Sequence, residues 1–159
     1  MASSKKRMMI PLEFFEKKSL DFSSAILVLL IGTCMGIFVL GLLEASLFPY
    51  PVFLEELLKA LLIFFVICRL ETAWQKIGAG VFLGILFGLG ENILYLPDAI
   101  GMGDIWYFFE RCLYVAPMHL ATVLLMVLVS IKYKPLIVIG FIGALLIHTY
   151  FNQAFFFSF

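Results

Sequence analysis

The sequence predicts an all-α, polytopic membrane protein with five transmembrane helices, and three observations carry that prediction. Of 159 residues, 64% are hydrophobic and only 14% charged, and mean hydropathy is +1.10; a soluble domain is about half apolar and about a quarter charged. Five stretches of mostly apolar residues, each near the roughly 20 needed to cross a bilayer at about 1.5 Å per residue, are separated by short polar breaks. Basic residues cluster on alternate connections, as the charge rule for membrane topology requires.

Residues 1–21 read as a cytoplasmic N-terminal segment and residues 22–159 as one five-helix membrane domain. In the former, Met8, Met9, Ile10, Leu12, Phe14 and Phe15 lie among lysines, the composition of an interfacial strip or a solvated tail. The first helix, Phe22 to Leu43, is longer than the roughly 7 to 15 residues of a signal-peptide core and is expected to be retained. The second spans Phe53 to Leu70. The third, Ile77 to Leu96, carries Gly80, Gly84 and Gly88 at four-residue spacing, a ridge that lets a neighbouring helix approach closely; Gly32 and Gly36 do the same on the first. The fourth spans Trp106 to Ile131, with Pro117 as a helix-start or kink residue, and the fifth spans Pro135 to Phe157. Lys5, Lys6, Arg7, Lys17 and Lys18 precede the first helix, Arg69 and Lys76 follow the second, and Lys132 and Lys134 follow the fourth. The other connections hold Glu44, Asp98, Asp104 and Glu110 without a Lys or Arg. The N-terminus is therefore expected inside the cell membrane and the C-terminus outside.

Eleven Lys plus Arg balance eleven Asp plus Glu, which leaves no basic excess for a nucleic-acid partner. Three cysteines, Cys34, Cys68 and Cys112, are an odd number in or beside apolar segments and make no disulfide framework.

Several polar residues fall inside the spans. The second helix opens FLEELLKALL with Glu55, Glu56 and Lys59; the third ends FGLGENILYL with Glu91 and Asn92; the fourth carries Arg111 and His119; the fifth carries His148 and Asn152. A charged side chain near the bilayer centre costs about 2.5 to 3.5 kcal/mol on the most lenient scale, so such groups face a protein interior or a wet cavity. The polar site is thus expected within helices two to five, while the first helix, lacking such groups, is assigned to packing or targeting. Counted along the helices, Glu55 falls roughly 3 Å, Glu91 and Asn152 roughly 8 Å and His148 roughly 13 Å from the outer ends. Lys59 follows Glu56 by three residues and Glu55 by four, so its ammonium can pair with either. The two carboxylates point about 100° apart around the helix. One glutamate can then be paired while the other faces the cavity. His148 and Asn152, four apart, share a face. Arg111 reads as an interface cap that snorkels, and Glu110 as solvated.

Peptide hydrolysis by activated water needs a base, donors for the developing oxyanion and an acid for the leaving amine, and this inventory contains all three. No serine has a histidine at an evident spacing, and Cys112 lies two turns from His119. Glu55, Glu56 and Glu91 against Lys59 and Arg111 give a net charge near minus one with neutral histidines. A protonated carboxyl or a bound cation would balance it. His119, His148 and Glu91 would make an acceptable zinc set with an open position for water, although no HExxH is present; a metal-free site is favoured. A small transporter, a cation- or proton-binding protein, or a degenerate protease that only binds also fits an acidic membrane cavity, although no inverted repeat is visible. Haem held by His119 and His148 has no further signature.

The EExxK of Glu55, Glu56 and Lys59, the FxxxEN of Phe87, Glu91 and Asn92, His119 after Pro117, and the HxxxN of His148 and Asn152 resemble the four motifs of PrsW-type intramembrane proteases. That family is related to the CAAX prenyl protease and bacteriocin-processing (ABI) group, and the resemblance covers about residues 50–155, one motif per helix in the expected order. It implies a membrane-embedded peptidase in which Glu55 activates water, Glu56 pairs with Lys59, Glu91 and His119 orient or polarise water, and His148 with Asn152 line the oxyanion site. Asn92 and Arg111 are left with structural or charge-pairing roles. It also implies a membrane-anchored protein substrate, such as an anti-sigma factor, cut on the extracytoplasmic side. A histidine stands at the place of Glu91 in CAAX-type members, which argues against a prenylated substrate, and the resemblance leaves zinc open.

Overall fold

The computed structural model describes residues 19–44 and 51–156. The Met8 to Phe15 strip, the preceding lysines and Arg7, and Lys17 and Lys18 lie outside the described residues, as does Phe157, the expected end of the fifth helix. The described chain is entirely helical: α1 Phe22–Glu44, α2 Pro51–Arg69, α3 Ala73–Leu94, α4 Leu96–Met102, α5 Ile105–Ser130 and α6 Ile137–Phe156, with a single 3-10 turn at Lys134–Leu136 before α6.

Local chemistry sets the boundaries. The Asp21 carboxylate accepts the Ser24 N–H at 3.2 Å, capping α1, and bonds to Ser24 hold that carboxyl below its usual range. Thr72 and Gln75 form a reciprocal capping box at the start of α3, which puts that start four residues before the expected Ile77. Asp104 accepts the Tyr107 N–H at 3.2 Å and caps α5. The expected third helix ran unbroken to Leu96; instead the chain turns at Tyr95 and restarts as α4, with Pro97 in its first turn, where a missing N–H costs nothing. Gly103 closes α4 at φ 71°, a left-handed conformation that suits glycine. Pro117 lies well inside α5 and is exposed, so it does not start the helix.

Small residues govern the packing. A Cβ on Gly84 would stand 2.7 Å from the Leu120 Cα, and one on Gly88 would stand 2.5 Å from the Ala116 Cα. The glycine ridge of α3 therefore lies against the backbone of α5, in antiparallel register. Gly140 of α6 faces the Met126 Cα in the same way, at 2.7 Å. Gly32 and Gly36 of α1 receive Leu62 and Leu58 of α2. Helix α2 touches α1, α3, α5 and α6 and so occupies the centre. Its Ile63, Val66 and Ile67 join Leu83, Phe87, Val123, Met126 and Val127 in the core.

The surface is apolar and part of the interior is charged. Leu27, Leu61, Leu113, Leu128, Ile139 and Leu146 are all more than half exposed, while Glu56, Lys59, Asn92, Arg111, His119 and His148 are buried. That inversion suits a lipid surround. Among the described residues, four helical stretches are long and apolar enough to cross a membrane: Phe22–Leu42, Ala73–Met102, Ile105–Ser130 and Lys134–Ala154. Helix α2 has 19 residues but carries Glu55, Glu56 and Lys59 within them, so composition alone does not mark it as a span.

Candidate active site

Little more than one turn of α2, from Glu55 to Lys59, aims its charged residues into the bundle. Lys59 Nζ lies 2.6 Å from Glu56 Oε1, with both side chains fully buried. The same ammonium lies 2.6 Å from His119 Nδ1 on α5 and 5.1 Å from the centre of the Phe87 ring. A lysine ammonium only donates. His119 Nδ1 must therefore accept, and a neutral His119 carries its proton on Nε2, which donates to Glu91 Oε2 on α3. The other oxygen of Glu91 accepts from Arg111 of α5 at 2.9 Å, and the Arg111 guanidinium stacks 3.8 Å over the Tyr95 ring. On the far side, His148 Nδ1 of α6 donates to Glu56 Oε1 at 2.7 Å and stands 3.8 Å from Glu55 Oε2.

The result is a continuous polar chain, Arg111 to Glu91 to His119 to Lys59 to Glu56 to His148, contributed by α2, α3, α5 and α6. Each of the two cations is matched to a carboxylate. Arg111 is only 5% exposed and holds Glu91, so it does not snorkel: desolvating a guanidinium is tolerable here because a carboxylate and an aromatic face replace water. Asn92 is buried and donates to the Gly88 carbonyl one turn back at 2.6 Å, a bond within α3. Asn152 is half-buried one turn beyond His148, and no hydrogen bond joins it to the cluster among the described residues. Cys112 lies outside the polar chain, and Glu110 is exposed.

A cavity of about 480 Å³ lies over this cluster. Glu55 and Glu91 reach it, at 15% and 17% side-chain exposure, while the two histidines sit behind them. Its walls are Phe87, Leu94 and Tyr95 of α3 and the turn after it, together with Ile37, Phe38, Leu40, Gly41 and Leu42 of α1; Asp98 of α4 stands at its edge. Helix α1 has no polar residue in the cluster, and sequence reasoning gave it no part in the site. It supplies the apolar wall. Its apolar run at 37–42 holds no distinguishing motif; the seats of Ile37 against Gly90 and of Leu94 against Gly41 bring it there. Tyr95 also escaped the sequence reading, although its place four residues after Glu91 on the same face was a usable signal.

Donor atoms from Glu55, Glu91, His119 and His148 all lie within 4.8 Å of one another, a group that could hold a metal ion. Glu55 thus joins the three candidates read from the sequence. His148 fits a ligand role well: with Nδ1–H on the Glu56 carboxylate, its Nε2 lone pair is available, as in most metal-bound histidines. His119 fits less well, because the Lys59 ammonium facing Nδ1 keeps the proton on Nε2, the nitrogen that would have to bind.

Comparison with protein-family models, with curated proteins and with solved structures gives no match.

Proposed function

We propose that this chain is an intramembrane peptidase that hydrolyses a peptide bond of a membrane-anchored protein near the outer membrane face. The observation that carries the proposal is the pair of carboxylates, Glu55 and Glu91, reaching the floor of an apolar-walled cavity above a hydrogen-bonded network that includes two histidines. In this reading α2 is a fifth span, its charges enclosed by the other helices, and the N-terminus lies in the cytoplasm. The resemblance to PrsW-type proteases, with Glu55, Glu56, Lys59, Glu91, His119, His148 and Asn152 at the matching motif positions, supports the same reaction and a substrate of the anti-sigma-factor kind.

Glu55 takes a proton from a water in the cavity as the water oxygen bonds to the scissile carbonyl carbon. The carbonyl oxygen gains the negative charge. Asn152 supplies a neutral amide donor for it; His148 can donate from Nε2 only when doubly protonated, because Glu56 holds the Nδ1 proton. Glu55 then passes its proton to the amide nitrogen, the C–N bond breaks, and the carboxylic acid gives its proton to the departing amine, so that a carboxylate and an ammonium leave. Glu91, fixed by Arg111 and His119, orients the water. Zinc, were it bound, would be held by Glu55, Glu91 and His148 and would supply Lewis acidity at the same water; the metal-free route is preferred because Lys59 opposes ligation by His119.

The test is incubation of the purified chain with single-span peptides in ¹⁸O water, read by mass spectrometry. A cleaved product carrying one label is expected, and Glu55→Gln should slow its appearance by about 10² to 10⁴-fold, the usual worth of a general base. Unchanged turnover by Glu55→Gln would remove Glu55 from that role.

A further inference from the structure

A second cavity, of about 620 Å³, follows the C-terminal half of α2 and has none of the carboxylates in its lining. Its walls are Leu61 and Phe64 of α2 and Val138 of α6, and its rim is Lys132, Tyr133 and Lys134. From Ala60 to Cys68 the groove follows α2 for eight residues, about 12 Å. The rim residues sit where a span ends, in the connection between α5 and α6, and Tyr133 is 62% exposed. Tyrosine and lysine at the end of an apolar stretch mark the level of lipid headgroups.

Charge selects the occupant. The described residues at this end of the bundle carry Arg69, Lys76, Lys132 and Lys134 against Asp21 and Glu71; the backbone bond from Leu20 N–H to the Arg69 carbonyl places the start of α1 there too. We propose that this groove binds an anionic phospholipid, its phosphate held by Lys132, Lys134 and the Tyr133 hydroxyl and one acyl chain lying between α2 and α6. An ammonium at an anionic membrane surface is worth roughly a fivefold preference, so two give roughly thirtyfold over a zwitterionic lipid. The site uses no residue of the carboxylate cluster and stands whether or not the chain is a peptidase.

The experiment is native mass spectrometry of the full chain in detergent with equimolar phosphatidylglycerol and phosphatidylcholine of identical acyl chains. Phosphatidylglycerol adducts should dominate by roughly thirtyfold. Lys132→Gln with Lys134→Gln should equalise the two lipids, Lys132→Arg with Lys134→Arg should keep the preference, and Val138→Trp, at an exposed wall position, should reduce retention of both. Equal retention by the unmodified chain would overturn the proposal. So would a preference that survives the double Gln substitution, or a double Gln substitution that dissolves a dimer of the chain while leaving lipid adducts unchanged, which would assign the groove to a second copy.

Discussion

Replacing Lys59 by methionine removes one side of a fully buried ion pair while keeping the volume of the chain. Glu56 would then stand in an apolar interior at 0% exposure with only His148 Nδ1 as a donor, since its second oxygen, Oε2, already has no hydrogen-bond partner. Breaking a buried pair in this way costs about 3 to 5 kcal/mol. The double change Glu56→Gln with Lys59→Met takes both charges away together, and the glutamine oxygen can still accept from His148. What remains is His119 Nδ1 without its donor, a penalty of about 1 to 3 kcal/mol. That orphaned nitrogen is common to both variants; the double is spared the uncompensated charge, about 3 to 5 kcal/mol, but leaves the glutamine amide N–H groups short of an acceptor, about 1 to 3 kcal/mol, so it should be more stable than the single by about 2 kcal/mol. Equilibrium unfolding in mixed micelles, with tryptophan fluorescence and helical circular dichroism, measures both. A Lys59→Met penalty under about 1 kcal/mol, or a double variant no more stable than the single, would refute the reasoning and imply that water reaches Glu56.

Other perturbations separate packing, topology and chemistry. Gly88→Ala places a methyl 2.5 Å from the Ala116 Cα and should cost about 1 to 3 kcal/mol as α3 and α5 part, whereas Gly101→Ala, with nothing within 4 Å, should be neutral by the same unfolding measurement. In a cysteine-free background, a cysteine at Gly101 should react with an impermeant thiol reagent from outside and cysteines at Thr72 or Tyr133 should not; labelling at Thr72 would invert the topology and move the carboxylate cavity to the inner half. Activity should survive prolonged chelation. Stoichiometric zinc in the purified chain, with loss on chelation and return on adding zinc, would make His148, Glu55 and Glu91 ligands.

The approximate positions of the most apolar helices were legible from hydropathy, and the Glu56–Lys59 pair was legible because three-residue spacing puts both groups on one face. The glycine ridge likewise announced a close helix neighbour. It did not say which neighbour, and that choice fixes the site: the approach of α3 to α5 at Gly84 and Gly88 sets Glu91 beside His119 and Arg111. An arginine near a helix end reads as snorkelling until a carboxylate is known to stand at the same height on the next helix. The contact of Lys59 with His119, sixty residues apart, depends on how two helices rotate about their axes, which one-dimensional periodicity does not contain. The break at Tyr95 was missed because hydropathy continues through it; Pro97 held the information, since the residues before a proline resist continuing a helix.

The central place of α2 has a consequence for biogenesis. Its Lys59 and Glu56 are matched by His119 and His148, which a ribosome makes 60 and 92 residues later. Until α5 and α6 emerge, a membrane-embedded α2 would hold Glu55, Glu56 and Lys59 with much of their solvation unreplaced, at about 2.5 to 3.5 kcal/mol for each charge that sits deep. Insertion of such a helix would therefore be tied to the arrival of α5 and α6. A nascent chain stopped before His148 would leave these charges poorly matched and be a natural substrate for quality control, so the same bonds that hold the carboxylates in place would also mark that α5 and α6 have been made.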